Sequence, residues 1–105
     1  MEATEFTGRI QKLGLETELR DLQIELARSP TAGVLDPGAC GLRKVRIGDR
    51  SRGQGKSYGA RVHYLFVPHR QTIYLLNVYT KDEQDALTPE QKKQLCAKIR
   101  PLKAE

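Results

Sequence analysis

The sequence contains no uninterrupted apolar stretch close to the roughly twenty residues that a membrane-spanning helix needs. Its first residues, Met-Glu-Ala-Thr-Glu, lack the cationic start and apolar centre of a secretory signal peptide. Both absences favour a cytoplasmic location without a membrane partner.

Cysteine and histidine are scarce, with two of each in the chain. Cys40 and Cys96 form no Cys-x-x-Cys pair, which argues against a structural zinc site. We expect both to be reduced thiols, one in a loop and one in a helix. His63 and His69 have no accompanying carboxylate cluster, so we expect neither a metal nor a cofactor.

Two common catalytic motifs are also missing. No serine lies in a Gly-x-Ser-x-Gly elbow, which argues against a serine triad. The stretch Gly53 to Ser57 ends in Gly-Lys-Ser, but the four-residue gap of a phosphate loop is absent and a strand pattern follows. We therefore reject nucleotide binding and expect its glycines to let the loop mould around a polyanion.

The composition is that of one small α+β domain covering residues 1–105. Apolar residues make up 38% and charged residues 30% of the chain, which fits a globule with a single core. Leu15 to Arg28 has apolar residues at helical spacing and should end at Ser29-Pro30, since proline removes an amide donor. Glu2 to Ile10 could open with an edge strand over Thr4 to Thr7 or form a short helix.

Three strands should form an antiparallel meander: Leu42 to Ile47, Ala60 to Val67 and Thr72 to Tyr79. Pro68 to Gln71 has the length of a hairpin loop between the last two.

Two longer loops belong to this sheet. Thr31 to Gly41 is a loop by composition, with Val34 and Leu35 expected to tuck under the sheet. Gly48 to Ser57 is glycine-rich, basic and too polar to pack, so we expect a mobile loop.

A C-terminal helix is predicted from its start signal. Thr88, Pro89 and Gln91 occupy the N-cap, first and third positions of a capping box, with leucine ahead as a staple. We expect this helix to end by Pro101.

Positive charge is concentrated in the predicted sheet. The net charge is +5, but residues 41–81 hold nine basic residues against one aspartate, whereas residues 1–42 hold four against seven carboxylates. The nine are Arg43, Lys44, Arg46, Arg50, Arg52, Lys56, Arg61, Arg70 and Lys81. Such segregation indicates a polyanionic partner. Solvated cations that bind nothing would give the same charge distribution along the sequence.

Strand alternation refines this picture. It places Lys44 and Arg46 on one face of the first strand, with Arg43 and Val45 on the other, and puts His63 on the face of Arg61. The candidate binding group consists of five cations and two tyrosines on or beside the three strands: Lys44, Arg46, Lys56, Arg61 and Lys81, with Tyr64 and Tyr79. Clustered Lys and Arg can neutralise the phosphorane formed when a phosphodiester is cleaved.

Several segments together resemble the RelE/ParE superfamily of bacterial toxins, and the HigB-like subgroup in particular. They are Gly41-Leu42-Arg43-Lys44-Val45-Arg46, Gly55-Lys56-Ser57-x-Gly59-Ala60-Arg61-Val62-x-Tyr64, Ile73-Tyr74-Leu75-Leu76-x-Val78-Tyr79-x-Lys81-x-Glu83, and Leu87-Thr88 with Gln91. The match spans roughly residues 15–95. The resemblance implies a compact α+β fold with a curved antiparallel sheet. It implies the toxin of a type II toxin–antitoxin system, a metal-independent endoribonuclease that cleaves messenger RNA on the ribosome. It also implies neutralisation by a HigA-like, helix-turn-helix antitoxin, and operator DNA as a partner only through that complex.

Site residues follow from the resemblance by position. Lys44 and Arg46 match a cationic pair, Arg61 the arginine that holds the scissile phosphate, and Lys81 a residue that helps the leaving group. The further RNA-binding candidates are Arg43, Arg50, Arg52, Lys56, His63, Tyr64 and Tyr79, of which Lys56 belongs to the subgroup's loop motif. Leu87 stands where RelE-type relatives carry a catalytic tyrosine, which leaves the general base open among Tyr79, His63 and a lysine. Two other functions stay open: a ParE-like inhibitor of DNA gyrase, and a nucleic-acid-binding module without catalysis.

Overall fold

The computed structural model describes residues 1–48 and 59–104, and these form three helices and a four-stranded antiparallel sheet. The helices are α1 (Thr4–Leu13), α2 (Glu16–Arg28) and α3 (Pro89–Ala104), and the strands are β1 (Val34–Leu35), β2 (Arg43–Ile47), β3 (Ala60–Val67) and β4 (Thr72–Thr80). The strand order is β1-β2-β3-β4. The α+β class predicted from the sequence is thereby confirmed.

The two N-terminal helices pack on one face of the sheet. The ambiguous N-terminal stretch forms helix α1, and its Phe6 and Ile10 are buried. Gly14 ends this helix with a φ of 68°. Leu19, Leu22 and Leu26 form the buried stripe of α2, which stops before Ser29-Pro30 as predicted. No helix in the described ranges is both long and apolar enough to cross a bilayer.

The fourth strand is not the one considered at the N-terminus. Val34 and Leu35 pair with Lys44 and Arg43 as a two-residue edge strand. Their side chains are 71% and 54% exposed, so the expectation that they tuck under the sheet is wrong. Their backbone groups continue the sheet outward, which leaves the side chains at its rim.

The sheet separates two hydrophobic clusters. Residues such as Val62, Leu75 and Val78 pack against α1 and α2. On the opposite face Leu65 and Tyr79 belong to a second cluster with three residues preceding or within α3: Leu87, Leu95 and Ile99. Because helices cover both faces, β3 is buried along nearly all of its length.

Helix α3 begins as predicted but ends later. The Gln91 amide donates to Thr88 Oγ1 at 3.1 Å, and the Thr88 amide donates to Gln91 Oε1 at 3.0 Å, which is the reciprocal capping box. The expected end at Pro101 is wrong, since the helix continues to Ala104. Leu102 packs against the core and the Lys103 ammonium bonds the Cys40 carbonyl at 2.5 Å, which holds the last turn in place.

Cys40 and Cys96 form a disulfide, with Cα atoms 5.6 Å apart, so the expectation of two reduced thiols is wrong. They are 56 positions apart in sequence, and only the packing of α3 beside the loop before β2 brings them together. Cys40 has a φ of 58°, a left-handed conformation that non-glycine residues seldom adopt.

Candidate anion-binding face

The strand register brings three predicted cations onto one face of the sheet. Arg46 pairs with Arg61, and Lys44 pairs with His63, so alternation puts all four on the side that α3 partly covers. We call Lys44, Arg46 and Arg61 the cationic face. The separation of Lys44 and Arg46 from Arg43 and Val45, predicted from alternation, is confirmed.

Arg46 and Arg61 stand directly opposite each other on neighbouring strands. Directly paired residues have Cβ atoms about 4.5–5.5 Å apart, and like charges in such a pair destabilise the sheet. Arg61 is only 9% exposed, and its guanidinium makes no hydrogen bond or ion pair with any residue in the described part of the chain. Arginine is rarely buried unless it is paired. A bound anion would offset both costs.

Behind these cations lies a buried carboxylate–imidazole pair. Asp36 Oδ2 is 2.8 Å from His63 Nε2, and the His63 side chain is fully buried. Burial lowers the pKa of His63 more than Asp36 raises it, so the imidazole is neutral at pH 7. We therefore assign the proton to Nε2, which donates to Asp36. His63 Nδ1 then has no hydrogen-bond partner among the described residues.

Asp36 is also held by α3. Its Oδ1 is 3.6 Å from the Lys92 ammonium, which donates to the Pro37 carbonyl at 2.9 Å. Burial would raise the pKa of Asp36, but the hydrogen bond from His63 and the positive charges of Lys92 and Lys44 together lower it. The carboxylate is thus ionised at neutral pH. It partly screens Lys44, whereas Arg46 and Arg61 have no anionic partner within residues 1–48 and 59–104.

Tyr79 lies beside both Arg61 and His63. It pairs with Arg61 across the strands, and its ring stacks on His63 with centroids 5.8 Å apart. Burial raises the pKa of the phenol, partly opposed by Arg61, so it is protonated at neutral pH. Its hydroxyl lacks a hydrogen-bond partner within the described ranges. Tyr79 and His63, both predicted to bind RNA, are buried in this structure.

Arg43 and Tyr64, which were also predicted to bind RNA, lie on the α1–α2 face of the sheet. Arg43 Nη1 donates to the carbonyls of Gly33 at 2.8 Å and Thr31 at 3.2 Å. The Tyr64 hydroxyl donates to the Pro30 carbonyl at 2.7 Å and accepts the Gly33 amide at 2.9 Å. Both side chains fasten the loop that follows α2; Tyr64 is fully buried, and Arg43 is partly exposed.

Lys81 is exposed on the turn after β4. The carboxylate of Glu83 shapes this turn by accepting a hydrogen bond from the Thr80 amide at 2.9 Å and by pairing with Arg9. The hydrogen bond from the Thr80 amide is the main cause of the lowered pKa of Glu83. The β3–β4 register ends at the pair Ala60 and Thr80. It therefore does not fix the Lys81 side chain beside Arg61.

Three predicted RNA contacts, Arg50, Arg52 and Lys56, lie outside the described residues, as does the loop expected to be mobile apart from Gly48. Leu87, at the position of the missing tyrosine, is buried beside α3 and offers no acid or base. Sequence reasoning missed Asp36 and Lys92, because they meet His63 only through tertiary packing. No local motif marks them.

A scan against models of known protein families finds none that matches this chain. Within the described residues, no group of three or more His, Cys, Asp or Glu side chains is placed to hold a metal ion. The cationic face thus offers anion binding by arginine and lysine. The two candidate bases beside it, His63 and Tyr79, are neutral and buried.

Proposed function

We propose that this protein is the toxin of a type II toxin–antitoxin system and cleaves messenger RNA on the ribosome, in the cytoplasm, without a metal. The proposal rests on the sequence resemblance to HigB-like toxins together with the cationic face. Its partners would be the ribosome with its message and a HigA-like, helix-turn-helix antitoxin. Operator DNA would be bound only through the antitoxin complex.

One observation carries the proposal: Arg61 is nearly buried, faces Arg46 directly and has no anionic partner among the described residues. A guanidinium offers a planar fork of donors that matches two oxygens of a phosphodiester. A phosphodiester seated there would offset one of the two positive charges. The same contact would stabilise the extra negative charge of a phosphorane.

In this proposal Arg61 holds the scissile phosphate, while Lys44 and Arg46 stabilise the charge that develops during cleavage. Lys81, exposed at the end of β4, would assist the leaving 5′-oxygen. A lysine ammonium is a hydrogen-bond and proton donor, which suits the role of an acid. The proton acceptor for the 2′-hydroxyl would have to come from a lysine or from a rearrangement that uncovers His63 or Tyr79.

The burial of both candidate bases favours a second candidate, a nucleic-acid-binding module that does not cleave. Such a module would use the same arginines to grip a phosphate backbone but would need no exposed base. The two candidates agree on binding and differ in whether the bound strand is cut.

The test expresses the chain alone in bacteria and maps transcript ends, with Arg61→Ala as the variant. The matched control is Arg20→Ala, which removes the same charge from the exposed side of α2. We expect codon-phased breaks for the wild type and for Arg20→Ala and none for Arg61→Ala, with circular dichroism unchanged.

Each other outcome points elsewhere. Intact transcripts with retained RNA binding would support the non-cleaving module. Breaks in DNA that depend on gyrase would support the ParE-like alternative. Unchanged transcript breaks in a folded Arg61→Ala protein would contradict the role of Arg61.

A further inference from the structure

The loop before β2 is fastened to α3 at three places along the helix. Near its start, the Lys92 ammonium donates to the Pro37 carbonyl and lies 3.6 Å from Asp36 Oδ1. At its middle, Cys96 is bonded to Cys40. At its end, the Lys103 ammonium donates to the Cys40 carbonyl. We call these contacts the α3 fastening, and the disulfide is its only covalent member among the described residues.

The fastening covers polar atoms that have no partner. Under it lie the neutral imidazole of His63 and the hydroxyl of Tyr79, whose rings stack 5.8 Å apart. Both His63 Nδ1 and Tyr79 Oη are buried without a hydrogen-bond partner in residues 1–48 and 59–104. Buried polar atoms of this kind are costly and tend to be solvated once the covering element moves. The covered cluster therefore favours an open form in which water reaches it.

The position of Cys40 indicates that the cross-link is not incidental. Its φ of 58° places a side chain where glycine or asparagine is preferred, and the next residue, Gly41, has a φ of 95°. A cysteine there has a conformational cost that the bond to Cys96 offsets. Cys40 is also exposed and Cys96 partly so, which makes the disulfide accessible to a small reductant.

We propose that the Cys40–Cys96 disulfide is a redox-controlled fastening that keeps α3 over the His63–Tyr79 cluster. A dithiol reductant opens it by two exchange steps: a thiolate attacks one sulfur and releases a cysteine thiolate, and the second thiol of the reductant then displaces the other cysteine. The protein gains two electrons and two protons as two thiols, and the reductant becomes a cyclic disulfide. Helix α3 then keeps its non-covalent contacts, which among the described residues include those of Lys92 and Lys103, the Arg70–Leu102 hydrogen bond and its apolar face.

This inference does not depend on RNA being the substrate. Its readouts are the exposure of His63 and the hydrogen exchange of α3, which the cationic face does not enter. A failure here leaves the nuclease proposal standing, and an inactive nuclease leaves this inference standing.

The experiment compares the full chain oxidised and reduced by dithiothreitol, using diethylpyrocarbonate labelling of histidine read by mass spectrometry. His69, exposed in the β3–β4 hairpin, is the internal control for reagent activity. We expect His69 to be labelled in both forms and His63 at least about tenfold faster in the reduced form, as for a site that opens locally. Amides of residues 89–104 should exchange faster to a similar degree, while those of β3 stay protected.

The double variant Cys40→Ser with Cys96→Ser separates the bond from the reductant. It should behave as the reduced wild type under oxidising conditions and should not respond to dithiothreitol. If His63 is labelled equally in the oxidised and reduced wild type, whether slowly or rapidly, the proposal is overturned. Equal exchange of the α3 amides in the two forms would also overturn it.

Discussion

The disulfide provides the most quantitative test of the fold, because its contribution to stability can be worked from the length of the loop it closes. The two cysteines are 56 positions apart. The chain-entropy relation for a loop of that length gives about 4 kcal/mol of stabilisation at 25 °C. That is a large share of the 5–15 kcal/mol by which domains of ordinary size are stable.

Urea unfolding of the oxidised and reduced protein measures this contribution directly. With a denaturant slope of about 1–3 kcal/mol per molar, the loss of about 4 kcal/mol lowers the midpoint by about 1–4 M. The double variant Cys40→Ser with Cys96→Ser should match the reduced protein. Equal midpoints for the oxidised and reduced wild type would refute the reasoning, with a thiol titration confirming that the oxidation states differ.

A second pair of variants separates the cross-link from the backbone at position 40. In the Cys96→Ser background, Cys40→Gly should be more stable than Cys40→Ser by about 1 kcal/mol. The reason is that glycine tolerates the φ of 58° without the steric cost that a Cβ brings. If serine proved the more stable of the two, the left-handed conformation would not be strained.

Three further predictions follow from particular contacts. Burial holds the pKa of His63 below its unfolded value, so the unfolded chain binds more protons than the folded chain. The free energy of unfolding should therefore fall as the pH drops below about 6.5. His63→Gln should reduce this pH dependence, as measured by urea titrations at several pH values. A Cβ at Gly33 would lie 2.8 Å from the Tyr64 ring and hydroxyl and 2.9 Å from Val45. Gly33→Ala should therefore lower the free energy of unfolding by about 1–3 kcal/mol in the same assay. Gly8, where an added Cβ would meet nothing within 4 Å, serves as the control position. Removing the N-cap hydroxyl with Thr88→Ala should cost about 1 kcal/mol and increase the hydrogen exchange of the first turn of α3, and an unchanged rate would show that the capping box contributes nothing.

Local patterns in the sequence were enough to predict most of the elements. The helical spacing of leucines predicted α2, proline marked its end, and the threonine–proline–glutamine signal predicted the start of α3. Each of these signals acts within a few residues of the chain. The predicted end of α3 was wrong, because contacts of Leu102 and Lys103 with distant residues outweigh the local effect of Pro101.

Alternation predicted which strand residues share a face, but it could not say what covers that face. Lys44 and Arg46 were correctly separated from Arg43, and His63 was correctly placed with Arg61. The burial of Tyr79 and His63 depends on α3 and Asp36, which meet them only in the folded chain. Likewise Tyr64 was predicted only as an RNA-binding candidate, and its hydrogen bonds with Pro30 and Gly33, more than thirty positions away, carry no local signal.

The disulfide was missed for a related reason. Two cysteines far apart in the sequence carry no spacing signal that predicts their pairing. The unusual element is a cysteine at a left-handed position next to a glycine, which becomes visible only once the backbone is known.

The central claim is that Arg61, with Arg46 and Lys44, forms one site for a phosphate backbone. It is tested most directly by the salt dependence with which a labelled single-stranded oligoribonucleotide binds the purified protein. We expect Arg61→Ala to weaken binding at least about tenfold and to reduce the slope of log affinity against log salt by about 0.7, one single-strand phosphate contact, while Arg20→Ala changes neither. A folded Arg61→Ala protein that binds the oligonucleotide with the wild-type affinity and slope would contradict the account.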